Sequence, residues 1–215
     1  DDESLIVDWE SSTDPLNPRN WSTAKRLGAI LQVTAIAVVV CSAGAIDAAV
    51  MPQAAEDLGV SEVVETLATG VFLVGFGTGG LIAAPFSELF GRNAVYLASL
   101  PVFSLWTMGA ALAPNIGAQL VFRFLAAFSA TAPLTCVGGT ISDLYDSLDK
   151  TWVFPLFAIP GFGAPALGLV IGSYIGPNTS WRWTEWSMLI ATGIVMALVF
   201  MCMPETFGPL LLQWK

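Results

Sequence analysis

Long apolar runs separated by short polar breaks recur six times along this chain. The runs cover 27–51, 64–86, 94–112, 117–141, 152–175 and 184–203. Each is close to the ~20 residues that an α-helix needs to cross the hydrocarbon of a bilayer. They are apolar almost throughout and lack the two-residue alternation of a barrel strand. Helices are therefore the expected form, because they satisfy their own backbone polar groups where lipid offers no partners. The breaks at 52–63, 87–93, 113–116, 142–151 and 176–183 are short, so consecutive helices are expected to be neighbours. Residues 1–24 are polar, and Pro15 and Pro18 interrupt any helix there. The expected architecture is an all-α membrane protein. A six-helix transmembrane domain spans 25–203, an acidic disordered tail occupies 1–24, and a loop begins over 204–215.

Composition sharpens this picture. Apolar types make up 55% of the 215 residues and charged types 12%, against roughly 25% charged in an ordinary soluble domain. A chain so poor in charge cannot cover a water-facing surface, so the lipid bilayer is the first expected partner. The net charge of −9 is concentrated at the start, where Asp1, Asp2, Glu3, Asp8, Glu10 and Asp14 crowd together. Basic residues orient the spans. With the N-terminus inside, Arg19, Lys25, Arg26, Arg92, Lys150 and Lys215 fall on the cytoplasmic side and Arg182 outside. That bias predicts both termini in the cytosol.

Other absences narrow the chemistry. There is no histidine, which removes imidazole bases and His-ligated metals. Cys41, Cys136 and Cys202 lie far apart in apolar runs and read as small buried hydrophobes. No cofactor, metal site, nucleic-acid partner or enzymatic activity is expected.

Several segments carry a resemblance. Ala84-Pro85-Phe86-Ser87-Glu88-Leu89-Phe90-Gly91-Arg92-Asn93 resembles the loop signature between the second and third spans of the major facilitator superfamily. Asp14-Pro15-Leu16-Asn17-Pro18-Arg19-Asn20-Trp21-Ser22 is similar to the pre-membrane segment of its fungal drug:proton antiporter-like members. Arg123-Phe124-Leu125 with Ala132-Pro133-Leu134 resembles their fourth span, and Pro165-Ala166-Leu167-Gly168 with Gly172 the antiporter motif of the fifth. Trp181-Arg182-Trp183-Thr184-Glu185-Trp186 and Pro204-Glu205-Thr206 resemble the sixth span and its exit. The likeness runs the length of the chain in order. Ala84, Asn93, Ala127, Ala130, Thr151, Leu169 and Ser173 depart from the family's usual residues. What the resemblance implies is the N-terminal six-helix half of a facilitator fold, with a nested 3+3 inverted repeat. Its partners would be a small-molecule substrate and the missing C-terminal half or a second copy.

Two ionisable residues sit well inside the predicted spans, Asp47 and Arg123. They lie four and six residues from the outer ends of their spans, or roughly 6 and 9 Å deep. Similar depth lets them pair across a central cavity, as candidates for a substrate or proton pathway. The plainer alternative is that both side chains reach for the outer interface. By the resemblance, Glu88, Gly91, Arg92 and Asp143 form a cytoplasmic gate cluster that latches helix ends. Gly75 and Gly79, and Gly168 and Gly172 beside Pro165, form small-residue faces that admit close helix approach. Pro155, Pro160 and Pro165 are expected to kink the fifth span. The function these residues and the resemblance suggest is proton-coupled export of hydrophobic or cationic compounds from the plasma membrane. The alternative is a truncated, non-transporting membrane protein with at most an interaction role.

Overall fold

A computed structural model of the chain describes residues 9, 11 and 14–213. Asp1, Asp2, Glu3, Asp8, Glu10 and Lys215 lie outside the described residues. The spanning helices are α1 (Thr23–Ala45, continued by a 3-10 turn over Ile46–Ala49), α3 (Glu62–Phe90), α4 (Arg92–Ala111), α5 (Ile116–Leu144), α6 (Lys150–Ile175) and α7 (Arg182–Cys202). Two short helices flank them, α2 (Met51–Leu58) after the first span and α8 (Gly208–Gln213) after the last. Six of these helices are long and apolar enough to cross a membrane.

Local sequence explains most helix ends. Ser22, Ser61 and Asn115 are N-caps whose side-chain oxygens accept from the N–H groups of Lys25, Val64 and Ala118. Gly59 ends α2 in the left-handed region, at φ +67°. Gly91 joins α3 to α4 with a single residue at φ +87°, a conformation that a side chain makes costly. Helices α3 and α5 each run 29 residues, about 43 Å at 1.5 Å per residue. They overshoot the predicted spans by one turn at the ends where charged residues lie.

The helices form an inner and an outer set. Ile30, Val33 and Val40 of α1, Tyr96, Leu100 and Phe103 of α4, Ala130, Val137 and Ile141 of α5, and Val195 and Val199 of α7 share one buried core. Helices α3 and α6 are added from outside. Each is joined by glycines and by one hydroxyl. Gly75 and Gly79 bring α3 against the backbone of Phe124 and Phe128 in α5, and Thr131 Oγ1 donates to the Phe76 carbonyl at 2.9 Å. Gly168 and Gly172 bring α6 against Ser42 and Ile46 of α1, and Ser42 Oγ donates to the Ala164 carbonyl at 2.8 Å. A Cβ at Gly75 would stand 2.5 Å from the Phe124 carbonyl oxygen, and one at Gly172 2.6 Å from that of Ile46. Helix α6 stays continuous through Pro155, Pro160 and Pro165. Its outward face is apolar and exposed at Trp152, Ile159, Phe162 and Tyr174.

Order extends further at both termini than the sequence pattern predicts. Asp14 is buried, its carboxylate accepts from Leu16 N at 2.9 Å, and Pro18–Asn20 form a 3-10 turn. Arg19 meets Asp146 at 3.3 Å. The polar stretch is thus pinned beneath the bundle from Asp14 onward, because its side chains cap its own turns. At the other terminus the expected loop is instead an anchored turn at Glu205 followed by α8. The first and last described segments, around Trp9 and Arg19 and around Gly208 and Pro209, lie at one end of the bundle, the tail end. The opposite, far end carries α2.

Candidate functional site

Two polar clusters stand out, one near each end. The far-end cluster is built on Arg123, about two turns into α5 and 1% exposed. Its Nη2 lies 2.6 Å from Asp47 Oδ2 and its Nη1 3.2 Å from Glu185 Oε1. Nη1 also donates to the Ala43 carbonyl at 3.0 Å, and the guanidinium lies over the Phe72 ring, 4.8 Å from its centroid. One turn earlier on α5, Gln119 Nε2 donates to Glu65 Oε1 at 2.8 Å. Asp47, Glu65, Gln119 and Glu185 are all buried, and Thr184 Oγ1 donates to Asp47 Oδ1 at 3.4 Å.

The folding of each contributor is local. Asp47 sits in the 3-10 turn that ends α1, which swings it inward. Glu185 lies in the first turn of α7 and Glu65 in that of α3, positions where carboxylates complement the helix N-terminus. Above them α2 closes the far end. Trp181 is buried against Val50 and Ala54 and donates from Nε1 to Asp57 Oδ2 at 2.9 Å. Arg182 Nη1 donates to the carbonyls of Ala111 and Ala113 at 3.0 and 2.9 Å. This clasp ties the α1–α3, α4–α5 and α6–α7 connections together over the cluster.

The sequence places Asp47 and Arg123 at one depth, and the structure brings them into contact. It adds two acids that the span boundaries concealed. Beside the two ionisable groups that lie well inside the predicted spans, Glu65 and Glu185 at the span edges are buried as well. Both lie within one turn of a helix start, where a side chain ordinarily reaches water, and the sequence carries no sign of the clasp that buries them. The chemistry is unbalanced, with three carboxyl groups around one guanidinium. A buried charge without a counter-charge costs several kcal/mol. Full ionisation of all three carboxyl groups is therefore disfavoured.

The tail-end cluster centres on Arg92, the first residue of α4. Its Nε lies 3.4 Å from Asp143 Oδ2, its Nη1 donates to Ser87 Oγ, and its guanidinium lies across Gly139 of α5, where a Cβ would collide with it. The ring of Phe207 stacks 5.2 Å away. Glu88, expected in this cluster, is exposed and lies outside it. The physical reason is that α3 remains helical to Phe90. Ser87 then faces Arg92, and Glu88 is turned about 100° around the axis. The acid that completes the cluster is Glu205, after α7. Its Oε1 accepts from Arg92 N at 3.1 Å and its Oε2 from Asn93 N at 3.0 Å, which caps the start of α4. The same carboxylate accepts from Thr206 N and Phe207 N at 2.9 and 2.8 Å. Asn93, one of the departures from the family pattern, donates from Nδ2 to the Met203 carbonyl at 3.2 Å. Gly91 belongs here through its positive φ, since a Cβ at that position would meet Glu205 and Leu210. Below Asp143, Arg26 lies over the Tyr145 ring, and burial pushes the Tyr145 hydroxyl above its ordinary range against the opposing pull of Arg26.

Among the described residues no group of His, Cys, Asp and Glu could hold a metal ion. Between α3, α4 and α5 an apolar groove of about 770 Å³ opens sideways, lined by Gly79, Phe86, Val95, Trp106 and Phe128. It is separate from both clusters.

Comparison with known proteins follows the same lines. The "MFS-type transporter kojT" of Aspergillus flavus is 46% identical over 213 residues, 98% of this chain and 38% of that protein. The "Uncharacterized transporter C530.02" of Schizosaccharomyces pombe is 37% identical over 211 residues, 98% of this chain and 39% of that protein. The chain thus spans under two fifths of the length of these curated relatives. The solved structure of the proton:xylose symporter XylE shares the fold, with a TM-score of 0.76 at 14% identity over 86% of this chain and 46% of that one. The family description Major Facilitator Superfamily matches residues 33–211. Six apolar helices, the Gly91–Arg92 turn and this match together make the chain a multi-pass membrane protein that belongs to the Major Facilitator Superfamily.

Proposed function

We propose that this chain supplies the N-terminal six-helix half of a proton-coupled small-molecule transporter of the drug:proton antiporter type, exporting hydrophobic or cationic compounds. Its termini face the cytosol, the side that collects Arg19, Lys25, Arg26, Arg92 and Lys150, and its membrane is the plasma membrane. The observation that carries this reading is the sharing of one buried guanidinium between Asp47 and Glu185, with the buried Glu65 held by Gln119 one turn away. A proton taken up by one carboxyl weakens its hold on Arg123, and a cationic cargo competes with Arg123 for the same acids. Either event changes how tightly α1, α5 and α7 are drawn together at the far end. At the tail end, the Arg92–Asp143–Glu205 cluster fastens α4, α5 and the α7 exit as a latch. The exposed apolar faces of α3 and α6 are where the second half, or a second copy, docks.

The test is flux through a full-length protein carrying this half, reconstituted in vesicles with an imposed pH gradient. Gradient-dependent movement of a lipophilic cation is expected, with loss on Arg123→Ala. Unchanged flux in that variant sinks the assignment of Arg123. The replacements of small motif residues favour the second reading, a non-transporting membrane protein. Ala127, for instance, puts a methyl 3.1 Å from where a Cβ of Gly75 would stand. Absence of flux with every gradient and cargo, from a correctly folded protein, supports that reading instead.

A further inference from the structure

The hydrogen-bond inventory of Glu65 and Gln119 does not close. Gln119 Nε2 donates to Glu65 Oε1 at 2.8 Å. The second oxygen of that carboxyl, Glu65 Oε2, and the carbonyl oxygen of that amide, Gln119 Oε1, are both buried without a partner among the described residues. The two side chains are 3% and 0% exposed. An ionised carboxylate and an amide oxygen are both acceptors only. Two buried acceptors left over beside each other are costly, at about 1–3 kcal/mol each. A single proton repairs the account. Placed on Glu65 Oε2 it turns one acceptor into a donor, and the amide oxygen of Gln119 is the acceptor of the same pair.

We infer that Glu65, paired with Gln119, is a proton-binding site of this protein, distinct from the Asp47–Arg123–Glu185 ion pairs. The charged groups around it define what its titration does. Asp47 at the end of α1 and Arg123 on α5 lie near enough to act on it. Glu185 on α7 holds the far side of the guanidinium. Glu56 and Asp57 of the overlying α2 are exposed to solvent. Arg123 Nε is itself buried without a hydrogen-bond partner. When the O–H bond of Glu65 breaks, the electron pair stays on Oε2, the proton passes to water, and the new carboxylate becomes a third acid competing for Arg123. Proton loss at Glu65 therefore loosens the guanidinium from Asp47 and Glu185, and proton uptake returns it. As a step in transport this rests on the proton-coupled reading above; as a protonated side chain it does not.

Infrared difference spectroscopy on the purified chain in detergent at neutral pH tests it without any flux measurement. A protonated carboxyl has a C=O stretch separate from the carboxylate bands. The expected result is that this band is present in the wild type and is lost in Glu65→Gln, a variant that keeps an amide donor toward Gln119 and so keeps the fold. Gln119→Leu removes the partner and leaves the acid in place, and is expected to shift or abolish the same band. A band unaffected by both substitutions, or a loss confined to carboxylate bands in Glu65→Gln, overturns the assignment. Either outcome leaves the roles of Arg123 and Asp47 to be judged by flux alone.

Discussion

The far-end and tail-end clusters each hold one arginine against acids, yet they differ in their arithmetic. At the tail end the acids are matched. Glu205 spends its oxygens on four backbone N–H groups, including two of the four that the start of α4 leaves open. Asp143 faces Arg92, and the pair keeps 20% and 10% side-chain exposure. At the far end two acids share Arg123, with a third, Glu65, held by Gln119 one turn away, the side chains are buried, and several polar atoms lack hydrogen-bond partners. A matched, half-wet cluster fastens a fold. An unmatched, dry one is sensitive to protons and to charged ligands, because each added or removed charge changes its energy by several kcal/mol. On the reading proposed above, fastening and sensing fall at opposite ends of the same helices.

The sharpest way to break this comparison is to remove each arginine. Arg123→Leu leaves Asp47 and Glu185 buried without a counter-charge and is expected to cost about 3–5 kcal/mol of stability, read as thermal unfolding in detergent. The double variant Arg123→Leu with Asp47→Leu should recover part of that loss. A cost for Arg123→Leu no greater than for Arg92→Leu would remove the distinction between the two ends.

Glu205→Ala comes next. It uncaps α4 and is expected to cost about 1–2 kcal/mol, with faster hydrogen exchange confined to the first turn of α4. Exchange that quickens at the far end instead would show that the clusters are one unit. Arg19→Ala breaks an exposed pair with Asp146 and should cost less than about 1 kcal/mol. Added salt should mimic it, while leaving the Arg123 variants untouched. The smallest expected effect is Glu88→Gln. It should leave thermal stability unchanged, since no ion pair among the described residues reaches Glu88; a loss equal to that of Glu205→Ala would restore Glu88 to the latch.

Much of this molecule is legible before any coordinates. Six apolar runs with short polar breaks between them specify six spanning helices, because lipid leaves the backbone no other way to satisfy itself. Gly75, Gly79, Gly168 and Gly172 announce close approach, and Arg123 and Asp47 stand out against their apolar surroundings. Glu65, Gln119, Glu185 and Glu205 do not stand out. Each lies within about two turns of a helix end or just beyond one, where linear position cannot separate a wet side chain from a buried one. The tertiary structure decides that matter. Helix α2 and the Trp181–Arg182 clasp cover the far end, and the α7 exit folds back onto the Gly91 turn. The sequence determined which segments cross the bilayer and which residues carry charge. Which charges meet, and how dry they are when they do, depends on contacts between residues up to 137 positions apart, and only the packed bundle brings those together.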